Sequence, residues 1–297
     1  MHFNKNSLYD PEASGYLDED QFGSFISDLL ETISMLQEGV KDELKPYYVK
    51  SSTRIFYFVL DSKKSKRIAI SDVLCSSLLR DLLNLESGNV EEENWFHPKY
   101  AQKLYKQFSQ LDKDKNGFVS REEFKRYGKA KAFRKGKETV NDFTSAFLDR
   151  VFEESPTAEM DFQSFLDFTL GLKYLEEKQG MTYFFNFLDI DKTGVLDDFA
   201  LNYFLRAILS RMEELGGEDG PPLQVVRGEI VDMIKHQGAN SPAAGVMLKD
   251  LIKSKKVGAT FIRILTAFNG FWDYENRSSS QPPVGEDSEL GDDWPWQ

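Results

Sequence analysis

The stretch Asp112–Glu123, DKDKNGFVSREE, decides the fold. Acidic or amide side chains stand at loop positions 1, 3 and 5 (Asp112, Asp114, Asn116), with Gly117 at position 6. Phe118 offers its backbone carbonyl at position 7, Ser120 stands at 9, and Glu123 closes the loop at 12. That is the ligand spacing of an EF-hand calcium loop, in which short side chains at alternate positions turn oxygens toward a hard cation. Gly117 permits a left-handed turn, and Glu123 brings two oxygens at once from the next helix. Phe108 and Leu111 end an entering helix, Phe124 and Tyr127 begin an exiting one, and Val119 at position 8 is expected to touch another loop through a short β contact. The expected metal ligands are Asp112, Asp114, Asn116, Phe118 (carbonyl) and Glu123. Three inward acids place the affinity on the order of 10⁻⁷ to 10⁻⁵ M.

Alignment on position 8 exposes a repeat. The first frame, Asp10–Gln21, has Leu17 at position 8, but Gln21 replaces the closing acid. The second, Asp61–Asp72, has Ile68 at position 8, and Lys63, Lys66 and Arg67 in the loop oppose a cation. The fourth, Glu153–Ser164, keeps Met160 at position 8 and little else. The fifth, DIDKTGVLDDFA, offers Asp189, Asp191, Thr193, Val195 (carbonyl) and Asp197, but Ala200 at position 12 removes the bidentate carboxylate. Weak calcium binding or none is expected there.

The expected architecture is mainly α: an elongated array of EF-hand-like helix–loop–helix units, most of them degenerate, with a C-terminal helical region. Residues 1–94 would form an N-terminal degenerate pair and 95–215 a central EF-hand region. A helical region would span 216–277, before an acidic, disordered tail over 278–297. Phe22, Phe25, Ile26, Leu29, Leu30, Ile33 and Leu36 mark one face of a long amphipathic helix. The aromatic-rich FQSFLDFTLGLKYL and MTYFFNFL read as packed core, LKDLIKS as a short helix, and VVRGEIVDMIKH and FIRILTAFNGFW as helices. Lys125–Lys137 has seven basic residues in thirteen and no acid. It reads as a solvated helix end or as a docking patch for an acidic surface.

The 297 residues, 40% hydrophobic with 24 Phe, suit a folded chain with a substantial core. A net charge of −12 argues against nucleic acid as a partner. One cysteine, Cys75, excludes an internal disulfide; its apolar neighbours Val73, Leu74, Leu78 and Leu79 suggest buried packing. The longest apolar run, Ile55–Leu60, is too short to insert in a membrane, and MHFNKN has no signal-peptide core. A soluble intracellular protein is expected. No phosphate loop, G-x-S-x-G elbow, H-E-x-x-H or CxxC pair occurs, and His2, His97 and His236 are scattered, so no enzyme is expected.

The order of segments resembles a known family. YDPEASGYLDEDQF, FYFVLDSKKSKRIAISDVL and NWFHPKYAQKLYKQFSQLDKDKNGFVSREEFKRYG are similar to the B″ regulatory subunits of protein phosphatase 2A. LDIDKTGVLDDFALNYFLRAI and the specific string FNGFWDYENR continue the likeness over roughly residues 8 to 277, nearest to the B″-gamma and Tonneau/Fass branch. The resemblance implies a non-catalytic subunit that joins a HEAT-repeat scaffold (A) subunit and a catalytic (C) subunit and directs them to phosphoprotein substrates. It implies cytoplasmic, nuclear and cytoskeletal or microtubule-organising settings. Family members often carry a further N-terminal region, so a short member or an incomplete sequence is expected. In this reading calcium sets the angle between the helices that flank the third loop. The rival is a free-standing calcium sensor or buffer, which predicts several competent loops and a methionine-rich groove.

Overall fold

The computed structural model describes residues 9–87, 94–127, 133–134, 137–138, 143–155, 157–214, 221–236 and 245–276. The tail from Ser278, most of Lys125–Lys137, most of the acidic linker after Glu86 and most of the loop before Pro222 lie outside them.

Short loops between helices carry two-residue or three-residue strands, and these strands pair. Leu17 of the first loop stands opposite Ile68 of the second in an antiparallel ladder. Strand Phe118–Val119 of the third loop pairs with Met160–Asp161 of the fourth, meeting the expectation for Val119. The fifth loop also has a partner, since Leu196 faces Val246. Strand Val246–Met247 leads into helix Leu248–Lys253, and helix Leu223–Lys235 precedes it in the chain. This sixth helix–strand–helix unit goes beyond the five frames. Counting back from Val246 puts position 1 at Ala239, where no acid advertises a loop. The remaining signal was an apolar residue four positions before an acid, Val246 and Asp250, and the Met247 N–H donates to Asp250 Oδ2 at 3.1 Å.

Contacts divide the chain into two units. One takes the chain up to Gly117 together with Asp161–Leu170; the other takes Phe118–Met160 and the chain from Gly171. In the first, Phe22, Phe56 and Phe96 are almost fully buried, with ring centroids 4.7 Å (Phe22–Phe56) and 5.4 Å (Phe56–Phe96) apart. Two tyrosines on helix Lys45–Leu60 tie this core to backbone: Tyr48 Oη donates to Phe96 O, and Tyr57 Oη to Leu17 O, each at 2.7 Å. Burial, the largest cause, pushes both phenols up from their ordinary pKa, so they remain donors. In the second unit, Phe147 and Phe184 meet in the core at 5.9 Å. The aromatic-rich segments read as core are core: Phe165, Phe168, Phe184 and Leu188 are at most 1% exposed.

Three expectations require correction. The long amphipathic helix is two helices, Glu19–Thr32 and Ser34–Gly39, because Ile33 is extended at φ −90° and ψ 114° while still buried. Similarly, FIRILTAFNGFW is interrupted at Ala267, which leaves the helix to bridge Phe143. Cys75 is exposed, not buried. It ends helix Ile70–Cys75, and Ser76, extended and capping Ser77–Leu83, turns the chain there. Val73, Leu78 and Leu79 face inward while Leu74 is 42% exposed.

A charged tie crosses the first unit. Arg54 grips Asp167 with two nitrogens, Nε and Nη2 (the latter at 2.9 Å), and reaches Glu19 Oε1 through Nη1 at 2.6 Å. Burial is the largest influence on Asp167 and lifts its carboxyl above the usual range, against the pull of Arg54. Removing one partner of such a pair leaves a desolvated charge behind. Arg54→Met should therefore lower unfolding stability by about 1 to 3 kcal/mol, the range for a partly buried group left without its partner, and adding Asp167→Leu should recover part of the loss in urea denaturation. An Arg54→Met protein as stable as wild type would show the tie to be a surface ornament.

Candidate metal centre

The third loop is built from its own backbone outward. Helix Pro98–Leu111 ends at Asp112, whose N–H still bonds to Phe108 O. The Asp112 carboxylate then accepts the N–H of Asn116 at 3.1 Å and of Gly117 at 3.0 Å. Gly117 has φ +86°, a conformation a β-carbon disfavours. Ser120 caps helix Arg121–Phe124: its N–H and Oγ both donate to Glu123 Oε2, at 2.9 and 2.8 Å. This capping box folds Glu123 back over the loop.

One oxygen each from Asp112, Asp114 and Glu123 lies within 4.8 Å of the others. Two oxygens bonded to one calcium ion at about 2.3 to 2.6 Å can be at most about 5 Å apart, so this set fits a single hard cation. Asn116 donates through Nδ2 to Asp114 Oδ2 at 3.1 Å, inside the same cluster. Phe118 lies in the strand, where its backbone is the relevant group; the residue is 37% exposed. Among the described residues no other set of three acidic, histidine or cysteine groups converges in this way, and the fifth loop offers none.

The degenerate loops keep the same frame. Asp10 accepts the N–H groups of Ser14 and Gly15, at 2.9 and 2.7 Å. Asp61 accepts those of Ser65 and Lys66, at 2.8 and 2.7 Å. Asp189 accepts those of Thr193 and Gly194, at 3.1 and 2.8 Å. The Gly15 and Ser14 amides hold the Asp10 carboxyl below the usual carboxylate range. Position 6 is left-handed even without glycine, with φ +59° at Lys66 and +55° at Ala158. The first, fourth and fifth loops lack the closing acid, whereas the second keeps Asp72 there and carries lysines instead of inner ligands: Gln21 closes the first with a bond from the Asp18 N–H at 2.9 Å, and Ala200 donates its own N–H to Asp197 Oδ1 at 2.9 Å in the fifth.

Comparison with known proteins agrees with this geometry. An EF-hand domain family matches residues 103–130, which bracket the loop. The human B″ gamma regulatory subunit of serine/threonine-protein phosphatase 2A is 40% identical over 293 residues, 97% of this chain and 60% of that protein. By sequence, the chain is a relative of the B″ subunits. The Danio rerio B″ gamma protein is 39% identical over 91% of this chain and 57% of its own length. The Arabidopsis thaliana protein TON2, named as a probable B″ regulatory subunit of the same phosphatase, is 30% identical over 92% of this chain and 56% of its own. The chain thus spans about 60% of the curated B″ relatives it matches. A chain in a solved PP2A PR70 holoenzyme superposes with a TM-score of 0.75 at 20% identity, covering 92% of this chain and 99% of that one, a likeness of fold.

Two variants separate the metal from the scaffold. Glu123→Gln keeps an acceptor for the Ser120 cap, as Gln21 does in the first loop, but loses the bidentate carboxylate. It should melt like wild type without calcium. It should also lose the calcium-dependent rise in Tm, about 4 kcal/mol of stabilisation at millimolar calcium over a micromolar constant. Equal calcium responses in both proteins would remove Glu123 from the ligand set. Conversely, Ala200→Glu supplies the missing closing acid to the fifth loop and should raise the calorimetric stoichiometry by one ion per chain. An unchanged stoichiometry would mean that the closing acid is not what the fifth loop lacks.

Proposed function

We propose that this chain is the calcium-binding helical core of a B″-type regulatory subunit of protein phosphatase 2A. It has no catalysis of its own and joins the scaffold and catalytic subunits so that they act on chosen phosphoproteins. The observation that carries the reading is the continuous B″ relationship along 97% of the chain. The converging carboxylates of Asp112, Asp114 and Glu123 support calcium as its ion, with Phe118 O and Asn116 completing the oxygen set. The names of the relatives, regulatory subunits of a phosphatase, support a non-catalytic role. The PR70 chain, which shares this fold, comes from a PP2A holoenzyme described as diCa, and this favours the same kind of assembly for the present chain. No helix among the described residues is long and apolar enough to cross a membrane. The B″ resemblance extends the proposal to cytoplasmic, nuclear and cytoskeletal sites of action.

The test is reconstitution. The purified chain, mixed with scaffold and catalytic subunits, should co-elute with them as one complex in gel filtration, and alone it should hydrolyse no phosphoserine or phosphothreonine peptide. A chain that binds calcium yet elutes apart from both subunits, with calcium and with chelator, would refute the phosphatase reading and favour a free-standing calcium protein.

A further inference from the structure

Resting on the calcium reading above, we propose that Arg121 is a positioning residue for the third loop. It acts through Asp149 on the neighbouring helix Ser145–Glu153 to hold Glu123 where the ion requires it.

Glu123 sits on a helix of four residues, Arg121–Phe124. One turn has no stability of its own in water, so the direction of Glu123 depends on what clamps that turn from outside. Two contacts do so, one on each side of Glu123 in sequence. Before it, Arg121 Nε lies 2.5 Å from Asp149 Oδ1, and Nη2 donates to Ser145 O at 3.3 Å. The Nε contact is a close ion pair rather than an aligned hydrogen bond. After it, Phe124 is fully buried and meets Phe152 edge to face, with centroids 5.7 Å apart. Residues 121 and 124 are three apart, as are 149 and 152, so the two short faces meet in register.

The receiving helix is itself anchored. Thr144 caps it by accepting the Phe147 N–H at 3.2 Å and ties the chain to Thr266 O through its own N–H at 3.0 Å. At the far end Arg150 holds Glu153 and Glu154, and Glu154 Oε1 also pairs with Lys192 of the fifth loop at 2.7 Å. A rigid partner on one side and an isolated turn on the other make the Arg121–Asp149 pair the adjustable joint.

The sign of the charge separates this role from simple electrostatics. Arg121 is a cation two residues from a calcium ligand, so by Coulomb repulsion alone its removal should tighten calcium binding. A positioning role demands the opposite. Thermodynamic reciprocity adds that calcium must steady helix Ser145–Glu153 to the extent that the helix steadies the calcium site.

The experiment is calcium titration by calorimetry on the full chain as wild type, Arg121→Gln, Asp149→Asn, the double variant and Arg121→Lys. Amide exchange of residues 145–153 would be followed with calcium and with chelator. Each single neutral variant should lose about tenfold in affinity, the low end for groups that orient a metal ligand. The double variant should lose no more than the weaker single, and Arg121→Lys should return to within about twofold of wild type. Calcium should slow exchange across the helix in wild type and not in Arg121→Gln. An Arg121→Gln protein that binds calcium as tightly as wild type, or more tightly, overturns the proposal. So does one that only melts lower without calcium while its affinity is intact, and so do losses that add in the double variant. A wild-type chain that takes up no calcium overturns the calcium reading itself, and is thereby distinguished from a failure of this inference alone.

Discussion

The loops depend on one recurring interaction: an aspartate at position 1 whose two oxygens accept the backbone N–H groups of positions 5 and 6. Asp10, Asp61, Asp112 and Asp189 all make it. It satisfies the amides that a tight left-handed turn would otherwise strand, and it does so with no ion. A loop can therefore lose its outer ligands, as Asp61–Asp72 has with its lysines, and still fold as an EF-hand loop. The candidate cation site is an addition to this frame. It requires only that Asp114 and Glu123 be laid over an aspartate already in place.

Pairing is the second constraint, since each strand of two or three residues is too short to persist alone. Leu17 with Ile68 and Leu196 with Val246 are buried, and so is Val119 in the strand that joins Met160–Asp161, so each β contact is also a small hydrophobic cluster. Such pairing explains why, among the described residues, six strand–helix units occur where metal chemistry would predict one. It also makes the closing position, which carries the exit helix, the place where loops differ in chemistry while agreeing in shape. Glu123, Gln21 and Asp250 all take a backbone amide from three residues earlier, and of these only Glu123 stands with two further carboxylates.

Much of this was legible in order along the chain. The ligand spacing at 112–123, the position-8 residues at 17, 68, 119, 160 and 196, and the aromatic core segments all rest on local rules of period and side-chain type. The missed features were of other kinds. The unit around Val246 has Asp250 at its closing position but no acid at positions 1, 3 or 5, so no ligand pattern marked it. Ile33 and Ala267 keep apolar periodicity through a break, because burial and helix continuity are separate demands and the pattern reports only burial. Cys75 was misplaced because a capping serine, Ser76, turned a continuous apolar run into two helices with different faces.

From composition and spacing alone the chain determined that it would build helix–loop–helix units, which loop would gather oxygens, and that Ala200 would leave the fifth without its closing carboxylate. Those features depend on residues within one loop of each other, where backbone geometry leaves few alternatives. Tertiary structure alone decided that Asp167 would find Arg54, that Val246 would pair with the fifth loop, and that Arg121 would meet Asp149. These partners are 113, 50 and 28 residues apart. No local period records such meetings; they follow from which faces remain to be buried once every helix has formed.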